Sequence, residues 1–230
     1  MAARFFKNQR KTRGHKRLQY NKSGSAGREW LLVHPFVTIS KVKVLKEFIA
    51  DPEMVGAIAE SSSYLGRMIV EGLDLRNAKA VLEYGPGTGA LTQHILKDLN
   101  PQAKFVAIEV NSELANDFRV RHPGVELVED SVENVRAICD RAGIEAADCI
   151  VSGLPWGGFP HAFQVKLMDK MMSVLKPGGR FVTFAYVHAA GLQPRGRRFA
   201  SLLPRYFTAV TKSPVVWLNM PPAFVYRCRR

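Results

Sequence analysis

The sequence predicts an α/β fold built on a doubly wound, mostly parallel β-sheet. From about residue 79 onward, short apolar runs alternate with helical stretches, as is typical of parallel strands joined by crossover helices. A glycine-rich turn follows the first apolar run, and acidic residues follow the next two, which is expected where parallel strands end at one edge of a sheet. With 230 residues, 47% of them apolar, the chain can bury one full-sized core but is short for two enzyme domains.

Seven strands are predicted, five parallel ones separated by four helices and then two that follow without an intervening long helix. Because the last two strands are close in sequence, we expect them to complete the sheet as an antiparallel hairpin. The strands are predicted at Ala80–Tyr84, Phe105–Glu109, Val125–Val128, Cys149–Ser152, Arg180–Ala185, Phe207–Val216 and Ala223–Arg229, and the helices near Ala90–Leu99, Ser112–Arg121, Val132–Ala142 and His161–Leu175.

Ahead of this domain, which we assign to residues 79–230, the sequence predicts two further regions. Residues 1–35 form a basic, flexible arm, or only a solubilising tail. Residues 36–78 form amphipathic helices, the first over Ser40–Ala50 and the second from about Ser62 to Gly72. Such helices serve either as a membrane or substrate lid or as ordinary packing against the sheet, and the pattern leaves both open.

Positive charge is concentrated at the two ends of the chain. Residues 1–30 hold nine Lys or Arg and one acid, and residues 191–230 hold eight and none, whereas the remaining residues are slightly acidic. Basic segments attract polyanions, and both nucleic acid and anionic lipid surfaces qualify. Charge alone does not choose between them.

Cysteine spacing and hydropathy exclude several classes of protein. The three cysteines, Cys139, Cys149 and Cys228, are odd in number and do not form the C-x-x-C pattern of metal or redox sites. We therefore expect no disulfide framework, no metal site and a protein of the reducing cytosol. The longest apolar stretch, around 181–192, is too short to span a bilayer, and the start of the chain lacks the apolar core of a signal peptide.

The sharpest motif is the glycine-rich turn that follows the first predicted strand. It has the form E-x-G-x-G-x-G, not the G-x-G-x-x-G of dinucleotide enzymes, and suits the amino-acid end of a sulfonium cofactor, S-adenosylmethionine. Glu109 ends the second strand, where an acid can hold ribose hydroxyls, and Asp130 with Ser131 follows the third, placed to meet the adenine amino group. The predicted cofactor-binding residues are Glu83, Tyr84, Gly85, Gly87, Gly89, Glu109, Val110, Asp130, Ser131, Ser152, Gly153 and Leu154.

The fourth strand runs into Ser152-Gly153-Leu154-Pro155-Trp156, where the methyl acceptor is expected. Adenine-amino methyltransferases, including the ribosomal RNA adenine dimethylases that the chain also resembles around Glu83–Gly89, carry N-L-P-Y or a close variant there. In this chain Gly153 replaces the Asn that orients the target amine, which argues against an adenine acceptor. Trp156 keeps the aromatic, and an indole face can hold an ammonium by cation–π attraction.

Several segments together make residues 42–230 resemble the bacterial soluble phospholipid N-methyltransferases. The resemblance implies a Rossmann-like class I methyltransferase with an N-terminal helical extension that seats it on the membrane, and an acceptor such as phosphatidylethanolamine or an ornithine lipid. Glu60 stands where the family usually has proline, which leaves the head group open. The matching segments are Ser152-Gly153-Leu154-Pro155 with Pro160, Lys46-Glu47-Phe48 with Pro52, Val55–Ile58 ahead of Ser61-Ser62, and Asn219–Tyr226.

The predicted function is therefore N-methylation of the amine head group of a membrane lipid by a cytoplasmic enzyme bound to the inner face of the membrane. The alternatives are an RNA (adenine-N6) methyltransferase or RNA-binding relative, and a small-molecule amine or carboxylate methyltransferase. An ammonium must lose a proton before it accepts a methyl group. The candidate residues for that step and for the acceptor pocket are Tyr186, His188, Trp156, Tyr64 and His161, and the candidates for a lipid phosphate are Arg195, Arg197 and Arg198.

Overall fold

A computed structural model describes residues 63–230, which form one seven-stranded sheet with helices on both faces. The predicted arm over residues 1–35 and the predicted helix over 40–50 lie outside the described residues. The strands are β1 Ala80–Tyr84, β2 Lys104–Glu109, β3 Glu126–Glu129, β4 Ala147–Ser152, β5 Leu175–Tyr186, β6 Ala209–Lys212 and β7 Ala223–Arg229. The α-helices are α1 Ser63–Val70, α2 Thr92–Asp98, α3 Ser112–Arg121, α4 Val135–Arg141, α5 His161–Met172, α6 Val187–Leu192 and α7 Pro194–Tyr206.

The sheet has the strand order β3-β2-β1-β4-β5-β7-β6, with β1 to β5 parallel. All five residues of β1 are buried, as expected for a central strand covered on both faces. β7 is antiparallel to both β5 and β6. The predicted doubly wound sheet with a closing antiparallel hairpin is confirmed.

Two apolar clusters cover the two faces of the sheet. One centres on Leu65, Ile69 and Ile95 of α1 and α2, and the other on residues from α4, α5 and α7. Helix α1 confirms the second predicted helix of the N-terminal region, and it packs against α2, β5 and β7. None of the helices within residues 63–230 combines the length and apolar composition needed to cross a bilayer.

The prediction that no long helix precedes the last two strands is wrong, because α6 and α7 fill the interval between β5 and β6. Helix α7 has Pro194 in its first turn, where the missing N–H has no helical partner to lose. It buries Gly196, Phe199, Leu202 and Leu203 on one face and leaves its arginines exposed on the other. Pro194, Gly196 and Pro204 interrupt the helical pattern of apolar residues in the sequence, which is why the helix was not predicted.

Strand β5 begins five residues earlier than predicted. The segment Leu175–Gly179, which leads from the end of the predicted helix to the predicted strand, belongs to β5, with a register shift against β4 between Ala147 and Cys149. Gly178 has φ of 74°, and its N–H donates to the carbonyl of Arg230 at 2.9 Å. The strand therefore begins ahead of an irregularity in its pairing with β4, and helix α5 ends at Met172 rather than Leu175.

Candidate active site

The carboxyl ends of β1, β2 and β4 meet at one edge of the sheet. The N–H of Gly153 donates to the carbonyl of Tyr84 at 2.8 Å, which joins the end of β4 to the end of β1. The N–H of Gly87 donates to Oε2 of Glu109 at 3.2 Å, which joins the glycine turn to the end of β2. The predicted cofactor motifs are thus brought together in space.

The glycine turn between β1 and α2 uses conformations that only glycine adopts readily. Gly85, Gly87 and Gly89 have φ of 65°, 58° and 89°. A Cβ built on Gly85 would lie 2.7 Å from Cδ2 of Leu154, so the backbone is also closely packed. The turn therefore presents bare backbone toward the sheet edge, as a close-lying ligand requires.

Glu83 is a fully buried carboxyl group directly ahead of the turn. Its Oε2 accepts a hydrogen bond from the Thr92 hydroxyl at 2.7 Å, while no partner for its buried Oε1 exists within residues 63–230. Burial raises the pKa of Glu83 to about 8, with Thr92 opposing the shift and Glu109 adding to it. An oxygen left without a partner in the interior is a position where a polar ligand group is stabilising.

Glu109 at the end of β2 is held in one orientation by backbone donors. Its Oε1 accepts from the N–H groups of Val110 and Asn111, each at 2.9 Å, in addition to the bond from Gly87. Burial raises the pKa of this carboxyl group, and the three backbone hydrogen bonds act against that rise. Backbone N–H groups thus fix this acid beside the glycine turn, and no basic side chain in residues 63–230 forms an ion pair with it.

Asp130 and Ser131 follow β3 next to Glu109. The N–H of Asp130 donates to the carbonyl of Glu109 at 3.0 Å, and its half-buried carboxylate accepts from the N–H of Ser131 at 2.7 Å. Ser131 is buried, and its hydroxyl accepts from the N–H of Glu133 at 3.2 Å at the start of the 3-10 helix Val132–Asn134. Both residues follow β3 as predicted, Ser131 caps the 3-10 helix, and contact with an adenine amino group stays a prediction.

Gly153 occupies a position with no room for a side chain. A Cβ built there would lie 2.5 Å from the carbonyl oxygen of Gly85. The neighbouring Ser152 is fully buried, and its hydroxyl accepts from the indole N–H of Trp156 at 3.0 Å and from the N–H of Leu154 at 3.3 Å. This end of β4 is therefore a rigid wall against the glycine turn.

Trp156 is a core residue as well as a residue of this wall. Only 2% of it is exposed, and its ring stacks on Phe199 of α7, with centroids 5.0 Å apart. Phe159 and Phe181 meet it edge-on. The indole is thus enclosed by aromatic side chains, and the predicted cation–π contact with an ammonium has almost no exposed ring surface available to it.

A cavity of about 470 Å³ lies beside the carboxyl ends of β4 and β5. The predicted residues Trp156, Tyr186 and His188 all line it, together with Gly153 and Leu154. The rings of Tyr186 and His188 stack with centroids 5.8 Å apart, and burial raises the pKa of Tyr186 to about 12. Among residues 63–230, those that line the cavity are mainly apolar or aromatic and include no Asp or Glu.

Two other predicted residues lie apart from this cavity. Tyr64 is half exposed on α1, with the Arg67 guanidinium 4.7 Å from its ring centre, and it borders a surface depression beside residues 215–218. His161 begins α5, where its Nδ1 lies 3.4 Å from Oε1 of Gln164. The structure does not bring either residue together with Tyr186 and His188.

Three residues that support the site were not predicted. Thr92 bonds Glu83, and His122 packs against Gly89. Gln164 is fully buried and donates to the carbonyls of Trp156 at 2.7 Å and Arg195 at 3.2 Å, which ties the end of β4 to α7. A threonine at the start of the helix after the glycine turn was a visible signal, whereas the other two contacts depend on tertiary packing.

Comparison with known proteins agrees with this geometry. A family model described as a methyltransferase domain matches residues 81–179. An ornithine lipid N-methyltransferase of Singulisphaera acidiphila is 30% identical over 190 residues, which cover 80% of this chain and 93% of that protein. The chain is a class I S-adenosylmethionine-dependent methyltransferase of the family that contains this relative.

Other matches to the methyltransferase are shorter or show the fold alone. The ribosomal RNA small subunit methyltransferase A of Chlorobaculum tepidum is 36% identical over 92 residues, which cover 40% of this chain and 32% of that protein. An O-methyltransferase of Bacillus cereus, solved with S-adenosylhomocysteine, is 17% identical with a TM-score of 0.59, covering 84% of this chain and 94% of that one. The O-methyltransferase TomG of Streptomyces achromogenes, solved with S-adenosylmethionine, is 20% identical with a TM-score of 0.58, covering 81% and 96%.

The cofactor of the methyltransferase is S-adenosylmethionine, and the residues present fit it. The glycine turn with Gly85 and Gly87 and the fixed carboxyl group of Glu109 lie together at one edge of the sheet, and the unpartnered oxygen of Glu83 lies directly ahead of the turn. This edge adjoins the end of β4, from which the apolar cavity extends.

Proposed function

We propose that this methyltransferase acts on the amine head group of a membrane lipid, such as an ornithine lipid or phosphatidylethanolamine. The observation that carries the proposal is the apolar cavity at the end of β4 and β5, which adjoins the cofactor edge and has no carboxylate in its described lining. The similarity to an ornithine lipid N-methyltransferase over 80% of the chain supports an aminolipid as the acceptor.

The cofactor supplies an electrophilic methyl group, so the protein has to bind, orient and deprotonate the amine. The apolar and aromatic lining of the cavity suits acyl or glycerol carbons, and the rings of Tyr186 and His188 in that lining offer aromatic surface to a cationic head group. Glu83, the glycine turn and Glu109 would hold the cofactor, next to the end of β4 that the Gly153 N–H joins to β1.

His188 is the residue that we propose takes the proton from the ammonium. Imidazole accepts protons at neutral pH, whereas a phenol with a pKa of about 12, as at Tyr186, stays protonated. The parallel stacking of the two rings positions the imidazole against the cavity wall. Tyr186 therefore has a positioning role.

An RNA adenine acceptor is the second candidate, favoured by the shorter match to ribosomal RNA methyltransferases and by the basic ends of the chain. Gly153 argues against it for two reasons. The residue lacks the amide that orients an adenine amine, and the 2.5 Å distance from its hypothetical Cβ to the Gly85 carbonyl leaves no space for an Asn.

We further propose that the enzyme works in the cytoplasm, bound peripherally to an anionic membrane surface. The eight basic residues and the absence of acids in 191–230 support attraction to such a surface. Exposed Arg195, Arg197 and Arg198 of α7 belong to that basic segment, beside the part of the helix that lines the cavity.

The test is methyl transfer from radiolabelled S-adenosylmethionine to ornithine lipid, to phosphatidylethanolamine and to RNA, each presented separately to purified protein. We expect label in an aminolipid and none above background in RNA. The matched control is Gly87→Asp, which introduces a carboxylate beside Glu109 and is expected to abolish cofactor binding and all transfer. Label in RNA alone would reject the lipid proposal in favour of the second candidate.

A further inference from the structure

We propose that the loop between β6 and β7, residues 213–222, inserts its apolar tip into the interfacial layer of an anionic lipid bilayer. The tip consists of Trp217, Leu218 and Met220, which are 70%, 68% and 77% exposed. Large apolar side chains are seldom this exposed side by side in a loop. The inference rests on the proposed function for its purpose, but not for its test.

Hydrogen bonds within the loop fix its conformation, and this conformation keeps the apolar side chains of the tip exposed. Asn219 is 1% exposed and its side-chain amide donates to the carbonyl of Pro221 at 2.8 Å. The N–H of Val216 donates to the carbonyl of Ala223 at 2.7 Å, which closes the base of the loop. The polar residue of the tip is thus buried while its apolar neighbours are exposed.

The position of the loop links it to the acceptor cavity. Ala223 starts β7 opposite Tyr186 at the end of β5, so the loop lies at the same edge of the sheet as the cofactor turn. Pro221, next to Met220, lines the cavity together with Tyr186 and His188. A tip inserted in a bilayer would therefore hold the cavity next to the lipid head groups.

The chemistry of the tip favours a lipid interface over other partners. Tryptophan prefers the boundary between head groups and hydrocarbon, and Leu and Met side chains carry no hydrogen-bond donor with which to read a nucleic acid base. The segment that carries the loop is complementary to anionic lipid, because residues 191–230 contain eight Lys or Arg and no acid. Beside the tip in space lie Arg67 and Glu71, and the Glu71 carboxylate is paired with Arg227 at 2.6 Å. Lys212, at the end of β6, provides a cation immediately ahead of the loop.

The loop can be tested in the full chain with two pairs of substitutions. The double variant Trp217→Ser/Leu218→Ser removes two residues of the tip, and the control Leu96→Ser/Val120→Ser removes two exposed apolar residues of α2 and α3. Binding is measured by sedimentation with vesicles of equal parts phosphatidylglycerol and phosphatidylcholine, which contain no primary amine. We expect the tip variant to lose binding by a factor on the order of 10 to 100, and the control to bind as wild type does.

Fluorescence gives a second measurement that does not depend on affinity. In a Trp30→Phe background the emission comes from Trp156, which is buried, and from Trp217. Adding the vesicles should shift the emission to shorter wavelength and protect Trp217 from an aqueous quencher. If the vesicles bind the protein but leave the emission and the quenching of Trp217 unchanged, the proposal is overturned. It is also overturned if Trp217 becomes protected without lipid, either at higher protein concentration, which would indicate a second copy of the chain, or on addition of RNA.

Methyl transfer to a short-chain aminolipid below its micelle concentration separates this proposal from the function on which it rests. The tip variant and wild type should then react at equal rates, since no bilayer is involved. If wild type fails to methylate any aminolipid, the proposed function fails while the binding result still decides the role of the loop. If wild type and tip variant are both active and bind vesicles equally, insertion of the loop is rejected while the proposed function stands.

Discussion

Replacing Gly153 with alanine should damage the cofactor site through a single methyl group. The added Cβ would lie 2.5 Å from the carbonyl oxygen of Gly85, and ordinary contact begins near 3.4 Å, so the two backbones must separate by roughly 0.9 Å. Overpacking of this kind costs about 1–3 kcal/mol. Because Gly85 begins the turn that we propose binds the cofactor, we expect the displacement to disturb the hydrogen bond between Gly87 and Glu109.

The expected result is a loss of cofactor affinity that accompanies a loss of stability. We expect Gly153→Ala to lower the free energy of unfolding by about 1–3 kcal/mol, measured by urea denaturation. Affinity for S-adenosylhomocysteine, measured by calorimetry, should fall at least about tenfold, which corresponds to about 1.4 kcal/mol.

Gly157→Ala provides a matched control four residues away. The nearest atoms to its Cβ would be the Cα of Gly196 at 3.7 Å and the Cβ of Ala189 at 4.0 Å, which are ordinary contacts. Both measurements should stay close to wild type. If Gly153→Ala binds the cofactor as tightly as Gly157→Ala does, the close packing of β4 against the glycine turn does not shape the site.

Three other substitutions test the roles assigned to single side chains. Glu83 has a folded pKa of about 8 against an ordinary value of 4.5, so unfolding releases a proton between these pH values and the free energy of unfolding declines as pH rises from about 5 to about 8. Glu83→Gln should flatten that decline, by up to about 1.4 kcal/mol per pH unit, in urea denaturation at several pH values; an unchanged slope would contradict the assignment. Trp156→Ala should cost about 3–5 kcal/mol of stability because Phe199, Phe159 and Phe181 pack on the indole, and a loss near zero would show that the ring is not structural. His188→Ala should lower kcat at neutral pH and recover partly at high pH, where the amine loses its proton to solvent, whereas Tyr186→Phe should keep the wild-type pH profile; a reversed pattern would transfer the proton step to Tyr186.

The fold and the cofactor edge followed from local sequence patterns. Strands Ala80–Tyr84 and Ala223–Arg229 and helix Ser112–Arg121 have the predicted bounds, because apolar runs and cap residues determine them locally. Asn111, for example, caps α3 by accepting from the N–H groups of Glu113 and Leu114. Glu109 and Asp130 follow two strands that are consecutive in sequence, and because these strands pair in the sheet the two acids lie next to each other.

The remaining features depended on contacts between distant parts of the chain. Helix α7 was missed because Gly196 looks like a helix breaker in sequence, while in the structure a Cβ there would meet the carbonyl of Ala189. Trp156 was predicted from its motif as an open aromatic, and only the position of Phe199, 43 residues later, shows that one of its faces is covered. Tyr64 was grouped with the acceptor residues by chemistry alone, whereas α1 places it beside the loop of residues 213–222.

The position of β7 between β5 and β6 determines the order in which this side of the sheet can form. In the described sheet β6 pairs with β7 alone, so β6 can join the sheet only after residues 223–229 have paired with β5. Until then the apolar edge of β5, which includes Phe181 and Val182, has no antiparallel neighbour and can pair with other nascent chains. A chain truncated between residues 212 and 223 would therefore lack β7, leave β6 without its partner in the described sheet and expose the edge of β5, so we expect it to aggregate.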